Sequence, residues 1–144
     1  MNTSTIPSSI IECHADSVWN VQDNVKIVAG KSATLTGGDY CVFSTGTNAT
    51  ITCRDHCIIN VGDFSRVKAT EYAAVQAGYD CEVRVGPGSR VSAREGTQIT
   101  FVYWDNDVRL TLSGEVGTDL KPGVQYHVRR GQIVEHESAT LTKA

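Results

Sequence analysis

The sequence predicts an all-β fold: a flattened two-sheet β-solenoid of about 16 residues per coil with a C-terminal β-hairpin cap. Three observations carry that expectation. Large apolar residues recur every eight positions, a glycine recurs every sixteen from Gly30 to Gly78, and the apolar series stops past Ile99. Self-similarity at a fixed short period is the mark of stacked repeats, each unable to bury its apolar face alone.

The eight-residue series runs Ile11, Trp19, Ile27, Leu35, Phe43, Ile51, Ile59, Val67, Val75, Val83, Val91 and Ile99. Two positions before each lies a smaller residue, from Ser9 and Ser17 through Cys41, Cys57 and Cys81 to Thr97. Two positions after lies another, mostly small or apolar, from Cys13 and Val21 to Ala93 and Phe101. Offsets of minus two, zero and plus two share one face only in a strand, whose side chains alternate. The unit is therefore a short strand with an inward small-large-small face, followed by a turn.

The number of units per coil is read from the turns. Gly30, Gly46, Gly62 and Gly78 recur every sixteen residues, where backbone freedom for a tight reversal is expected. The intervening turns, Gly38-Asp39-Tyr40, Arg54-Asp55-His56 and Thr70-Glu71-Tyr72, read as a second type. Two alternating turn types predict two strands per coil rather than three.

The chain divides accordingly into an N-terminal segment 1–8, repeats 9–101, a cap 102–135 and a flexible tail 136–144. Residues 1–8 are too short to be a folded cap, so the open strand edges of the first coil are expected to be covered either by these residues folding across the end or, preferably, by another copy. In the cap, Ile99 to Trp104, the turn Asp105-Asn106-Asp107 and Val108 to Leu112 read as a hairpin. A turn at Lys121-Pro122-Gly123 leads to Val124 to Val128, and Arg129-Arg130-Gly131 leads to Gln132 to Glu135.

A net charge of -3 with 20% charged residues favours neither a polybasic nor a strongly acidic role. No apolar run reaches the roughly 20 residues of a membrane span, and Met1 to Ile10 lacks the pattern of a signal peptide. The expectation is a cytoplasmic protein with no membrane partner. The cysteines, Cys13, Cys41, Cys53, Cys57 and Cys81, all occupy inward positions. Their odd number and spacing predict small buried hydrophobes, with no disulfide framework, metal or cofactor. His14, His56, His127 and His136 fall on different turns and tails, and no nucleophile and base are paired, so the chain is read as no enzyme.

The outward positions carry the candidate sites. Val28, Val42, Ile58 and Ala74 are expected side by side on one face, as an apolar protein interface. Tyr40, His56 and Tyr72 occupy equivalent turns and are expected to stack along one edge, beside Asp39, Asp55 and Glu71. The opposite face presents Thr34 with Thr36 and Thr50 with Thr52, a candidate ice- or water-organising surface. Its next coils substitute Arg66, Lys68, Glu82 and Arg84, where the acidic residue interrupts a basic patch and argues against nucleic acid.

These repeats and cap resemble those of bacterial ice nucleation proteins and of shorter bacterial and phage proteins with the same architecture. That family's unit is two octads of the type A-G-Y-G-S-T-x-T. Ala77-Gly78-Tyr79-Asp80-Cys81 and Ala93-Arg94-Glu95-Gly96-Thr97-Gln98-Ile99-Thr100 follow it. The cap likeness rests on Thr100-Phe101-Val102-Tyr103-Trp104-Asp105, Arg109, Val116-Gly117, Lys121-Pro122 and Tyr126, and the whole spans about residues 25 to 135. The resemblance implies the solenoid fold. Ice nucleation, which in the family belongs to long T-x-T rows, has only two intact rungs here. The expected function is a non-enzymatic scaffold acting by protein contact, as a homo-oligomer (a dimer) or against a foreign protein such as a phage's host factor. A water- or ice-organising protein is the alternative.

Overall fold

In a computed structural model the described residues are 10–135, with side chains described from residue 14 onward; the expectations for residues 1–8 and 136–144 lie outside them. The described residues contain strands, turns and short connections and no helix. The strands are β1 (Ile10–Cys13), β2 (Val18–Asn20), β3 (Lys26–Ala29), β4 (Thr34–Thr36), β5 (Val42–Ser44), β6 (Thr50–Thr52), β7 (Ile58–Asn60) and β8 (Arg66–Lys68). They continue as β9 (Ala74–Gln76), β10 (Glu82–Val85), β11 (Arg90–Ser92), β12 (Gln98–Asp105), β13 (Val108–Glu115), β14 (Tyr126–Arg129) and β15 (Gln132–Glu135).

Successive strands alternate between two sheets. The first has the order β1-β3-β5-β7-β9-β11-β14-β15, and the second β13-β12-β10-β8-β6-β4-β2. Pairing is parallel through the repeats, and partners differ by sixteen residues: Ile27 with Phe43, Phe43 with Ile59, Ile59 with Val75, Val75 with Val91. The second sheet does the same from Trp19 with Leu35 to Val83 with Ile99. The repeats form a β-solenoid with two strands per coil.

The eight-residue apolar series is the core. Ile27, Leu35, Phe43, Ile51, Ile59, Val83, Val91 and Ile99 are all buried between the sheets, with Phe101, Val116, Leu120 and Tyr126 continuing the core into the cap. Trp19 departs from the series at 40% exposure, because no described strand covers β2 on its outer side.

The turns hold a correction. Positive φ falls at Asp16, Asn24, Ser32, Tyr40, Asn48, His56, Phe64, Tyr72 and Asp80, then at Gly88 and Gly96, once in every eight residues. Both edges therefore use one backbone conformation, not two, and Gly30, Gly46, Gly62 and Gly78 are not the residues that need it. Left-handed backbone costs a non-glycine residue on the order of 1 kcal/mol. Each such residue is held by a bond to the next coil: Tyr40 N–H donates to Asp55 C=O, His56 to Glu71 and Phe64 to Tyr79, each at 2.9 Å. The glycines answer a different constraint, coil-on-coil contact. A Cβ on Gly62 would lie 2.8 Å from the Gly46 carbonyl carbon and 2.9 Å from its oxygen.

Where the small inward residue after the turn is Cys41, Cys57, Ser65, Cys81, Ser89 or Thr97, it is a polar rung. The Ser65 hydroxyl accepts from Ala49 N–H at 3.0 Å, Cys81 Sγ from Ser65 N–H at 3.4 Å, and the Thr97 hydroxyl from Cys81 N–H at 3.0 Å. The Thr97 hydroxyl also donates to the Gly78 carbonyl at 2.8 Å, and the Cys81 thiol to that of Gly62 at 3.2 Å. Buried donors and acceptors left by the turns are thus satisfied from inside.

The cap closes the C-terminal end of both sheets with antiparallel strands. β13 pairs along all of β12, three residues farther than the expected hairpin, and Asn106-Asp107 turn it with both φ positive. β14 joins the first sheet through Tyr126 opposite Val91, and β15 folds back on it through Arg130-Gly131. The Tyr126 hydroxyl accepts from Lys121 N–H at 2.6 Å, tying the cap's loop to its strand.

Gly62→Ala is expected to destabilise the chain by about 1–3 kcal/mol, since backbone rather than a side chain must move to admit the methyl. Urea titration checks this: a lower midpoint at unchanged slope is the expected result, and an unchanged midpoint would remove the close-packing account of the glycine column.

Candidate functional site

The sixteen-residue register turns each sequence position into a column on the surface, and two columns meet at one edge. Tyr40, His56 and Tyr72 share the left-handed turn position, so their side chains leave the coil in the same direction. The rings stack as expected, Tyr40 on His56 at 4.8 Å between centroids and 13° between planes, His56 on Tyr72 at 5.0 Å and 16°. The column ends where Tyr72 lies over Gly88, whose absent Cβ would sit 2.5 Å from the ring.

Of the acidic residues beside the rings, Asp39 and Asp55 are structural acceptors. Asp23 Oδ1 accepts from Asp39 N–H at 2.8 Å, Asp39 Oδ1 from Asp55 N–H at 3.1 Å, and Asp55 Oδ1 from Glu71 N–H at 3.1 Å. Asp55 also accepts from the Thr70 hydroxyl. That hydroxyl, then the Glu71 N–H, holds the Asp55 carboxyl below its ordinary value. Arg54 lies 3.6 Å from Asp39.

The aliphatic column adjoins the aromatic one. Val42, Ile58 and Ala74 are in register on β5, β7 and β9, with Lys26 before and Arg90 after. Ile58 is 55% exposed, as against 56% for Tyr40 and Tyr72, while Val42 and Ala74 are half-buried. Val28 does not belong to this column. It pairs with Ser44, because the partner of residue 28 in a sixteen-residue coil is residue 44, and its column runs on through Asn60 and Gln76. The expected four-residue patch is a three-residue column with Val28 diagonal to it.

On the second sheet Thr34 pairs with Thr50 and Thr36 with Thr52, all four exposed. The two columns continue as Arg66 and Lys68, then Glu82 and Arg84. Arg66 lies 3.5 Å from Glu82.

Cys41, Cys53, Cys57 and Cys81 are buried and free; the side chain of Cys13 lies outside the described residues. The Cys57 thiol donates to the Gly38 carbonyl at 3.3 Å and that of Cys41 to Gln22 at 3.1 Å, the same part played elsewhere by serine and threonine. The Cys53 thiol donates to the Arg54 carbonyl at 3.8 Å, and its interaction with the neighbouring Cys57 thiol raises Cys53 and lowers Cys57.

The sequence reading places the first hairpin strand over Ile99 to Trp104, within one residue of β12 at each end, and ends the second at Leu112, three residues short of β13. The outward alternation of Thr100 continues in Val102 and Trp104, and β13 places Arg109 opposite Trp104, so the cap carries surface chemistry as well as closure. That alternation was the available signal.

Because the folded Asp55 pKa is depressed below 3.8, its contribution to stability is present above that value and is lost as pH falls through the folded one. Asp55→Asn should therefore be less stable than wild type at pH 7, with the gap closing as the pH drops below about 4. Urea titrations along a pH series measure the gap; one that stays constant with pH would contradict the ladder's dependence on the carboxylate.

No family model, no curated protein and no solved structure matches this chain.

Proposed function

We propose that the chain is a non-enzymatic scaffold acting through protein contact, pairing with a second copy of itself by its aromatic and aliphatic columns. The observation that carries the reading is their adjacency. Tyr40, His56 and Tyr72 stand beside Val42, Ile58 and Ala74 on backbone that the coil ladder already holds rigid. A preformed surface loses little freedom on binding, and tyrosine and aliphatic anchors at a rigid edge contribute area at low entropic cost. Six side chains are well short of the roughly 20–30 residues per side of a standard interface, so the pairing is weak and concentration-dependent. The setting we propose is cytoplasmic; among the described residues no helix is long and apolar enough to cross a membrane. A phage protein using the same strip against a host factor is a narrower version of this reading.

A second reading takes support from the register of Thr34, Thr36, Thr50 and Thr52, four exposed hydroxyls on two rungs, and from the likeness to ice nucleation repeats. Charged side chains interrupt the array at the next coil. The scaffold reading predicts no thermal hysteresis. A measurable freezing gap that Thr50→Lys abolishes would install the second reading instead.

Light scattering over a concentration series tests the first. Wild type should rise above the 15.6 kDa of one chain toward twice that mass. Val42→Lys with Ile58→Lys should stay at one chain's mass with unchanged circular dichroism. Wild type that remains a monomer throughout would overturn self-pairing and leave the strip to a foreign partner.

A further inference from the structure

The corner where the second sheet meets the aromatic edge holds a groove of about 260 Å³ beneath the overhanging β12–β13 hairpin. Lys68 and Arg84 line it from adjacent coils, Arg109 and Trp104 from the hairpin, and Val102 and Pro87 form its apolar wall. Glu71 stands at the same groove.

The three cations are the unusual feature. Lys68 and Arg84 are directly opposite each other in parallel register, a like-charge pair that works against the sheet. Their neighbours in the adjacent column, Arg66 and Glu82, are paired. Among the described residues the side chains of Lys68, Arg84 and Arg109 form no ion pair or hydrogen bond, with Glu71 or any other group. Trp104, on the outward side of β12, is a large aromatic left 57% exposed. Folding explains neither the uncompensated charge nor the exposed indole. Two guanidinium groups and an ammonium suit the oxygens of a phosphate or sulfate ester, and an indole face suits a flat ring attached to it.

We propose that this groove binds a small anionic ester carried on a ring, with Lys68, Arg84 and Arg109 on the anion and the ring stacked on Trp104. A nucleoside phosphate and a sulfated sugar share that chemistry. The volume fits one anion and one ring rather than a polymer. The site is distinct from the strip of the proposed self-pairing and does not depend on it.

Calorimetry at low salt on the full chain tests the assignment with a nucleoside diphosphate, a sulfated monosaccharide and inorganic phosphate. Saturable binding of the nucleotide or the sulfated sugar, weakened about tenfold or more in both Arg109→Ala and Trp104→Ala, is the expected result, and whichever binds tighter identifies the source. Arg54→Ala, on the same edge outside the groove, should bind like wild type. Both exposed variants should keep the wild-type circular dichroism spectrum. Absence of binding at millimolar ligand, or equal affinity in wild type and both variants, would overturn the proposal. Inorganic phosphate binding as tightly as the ring-bearing ligands would also overturn it, leaving an adventitious ion only.

Discussion

The backbone ladder between coils is the constraint on which everything else depends. Each coil donates and accepts along its strands and through its turns, as in Thr50 N–H to Ala33 C=O at 2.8 Å and Tyr72 N–H to Pro87 C=O at 2.9 Å. Because the turns take part, the offset of sixteen residues admits no slack. A single inserted residue would move every later side chain to the opposite face. The same ladder tolerates left-handed backbone at bulky residues such as Phe64 and Tyr72, since leaving the conformation would break a bond to the neighbouring coil as well as relieve local strain.

Periodicity then multiplies small local choices. A hydroxyl or thiol after the turn becomes an internal polar rung, an aspartate in the turn becomes a chain of acceptors, and a ring at the left-handed position becomes a stack. Cys57 and Cys81 fit this account: they occupy the rung position that Ser65, Ser89 and Thr97 fill elsewhere. A thiol serves there because the partner carbonyl needs one donor and the site has little spare volume.

Much of this was legible in the sequence, though not always for the right reason. The octad exposed the core, the two sheets and the stacking of Tyr40, His56 and Tyr72, because a parallel solenoid maps sequence spacing directly onto space. The coil length came from a glycine column whose true cause is close backbone packing, not turn geometry; that packing recurs once per coil whereas the left-handed turn recurs twice, so the period survived the wrong mechanism. Val28 was misassigned although its register was computable, since apolarity was followed instead of the offset that places residue 28 against Ser44. The hairpin strand through Trp104 was legible, but the groove under Trp104 and Arg109 was not, because it depends on how that hairpin lies over Lys68 and Arg84, which no repeat dictates.

Every surface described here follows from the coil length, and nuclear Overhauser contacts between labelled core methyls test that length most directly. Two strands per coil place Ile59 against Val75 and Val75 against Val91 in the first sheet, with Val67 against Val83 in the second. Cross-peaks joining those pairs are the predicted result. Strong contacts linking Ile59 to Val83 as stacked neighbours, the spacing of a three-strand coil, would contradict the two-sheet register and the columns built on it.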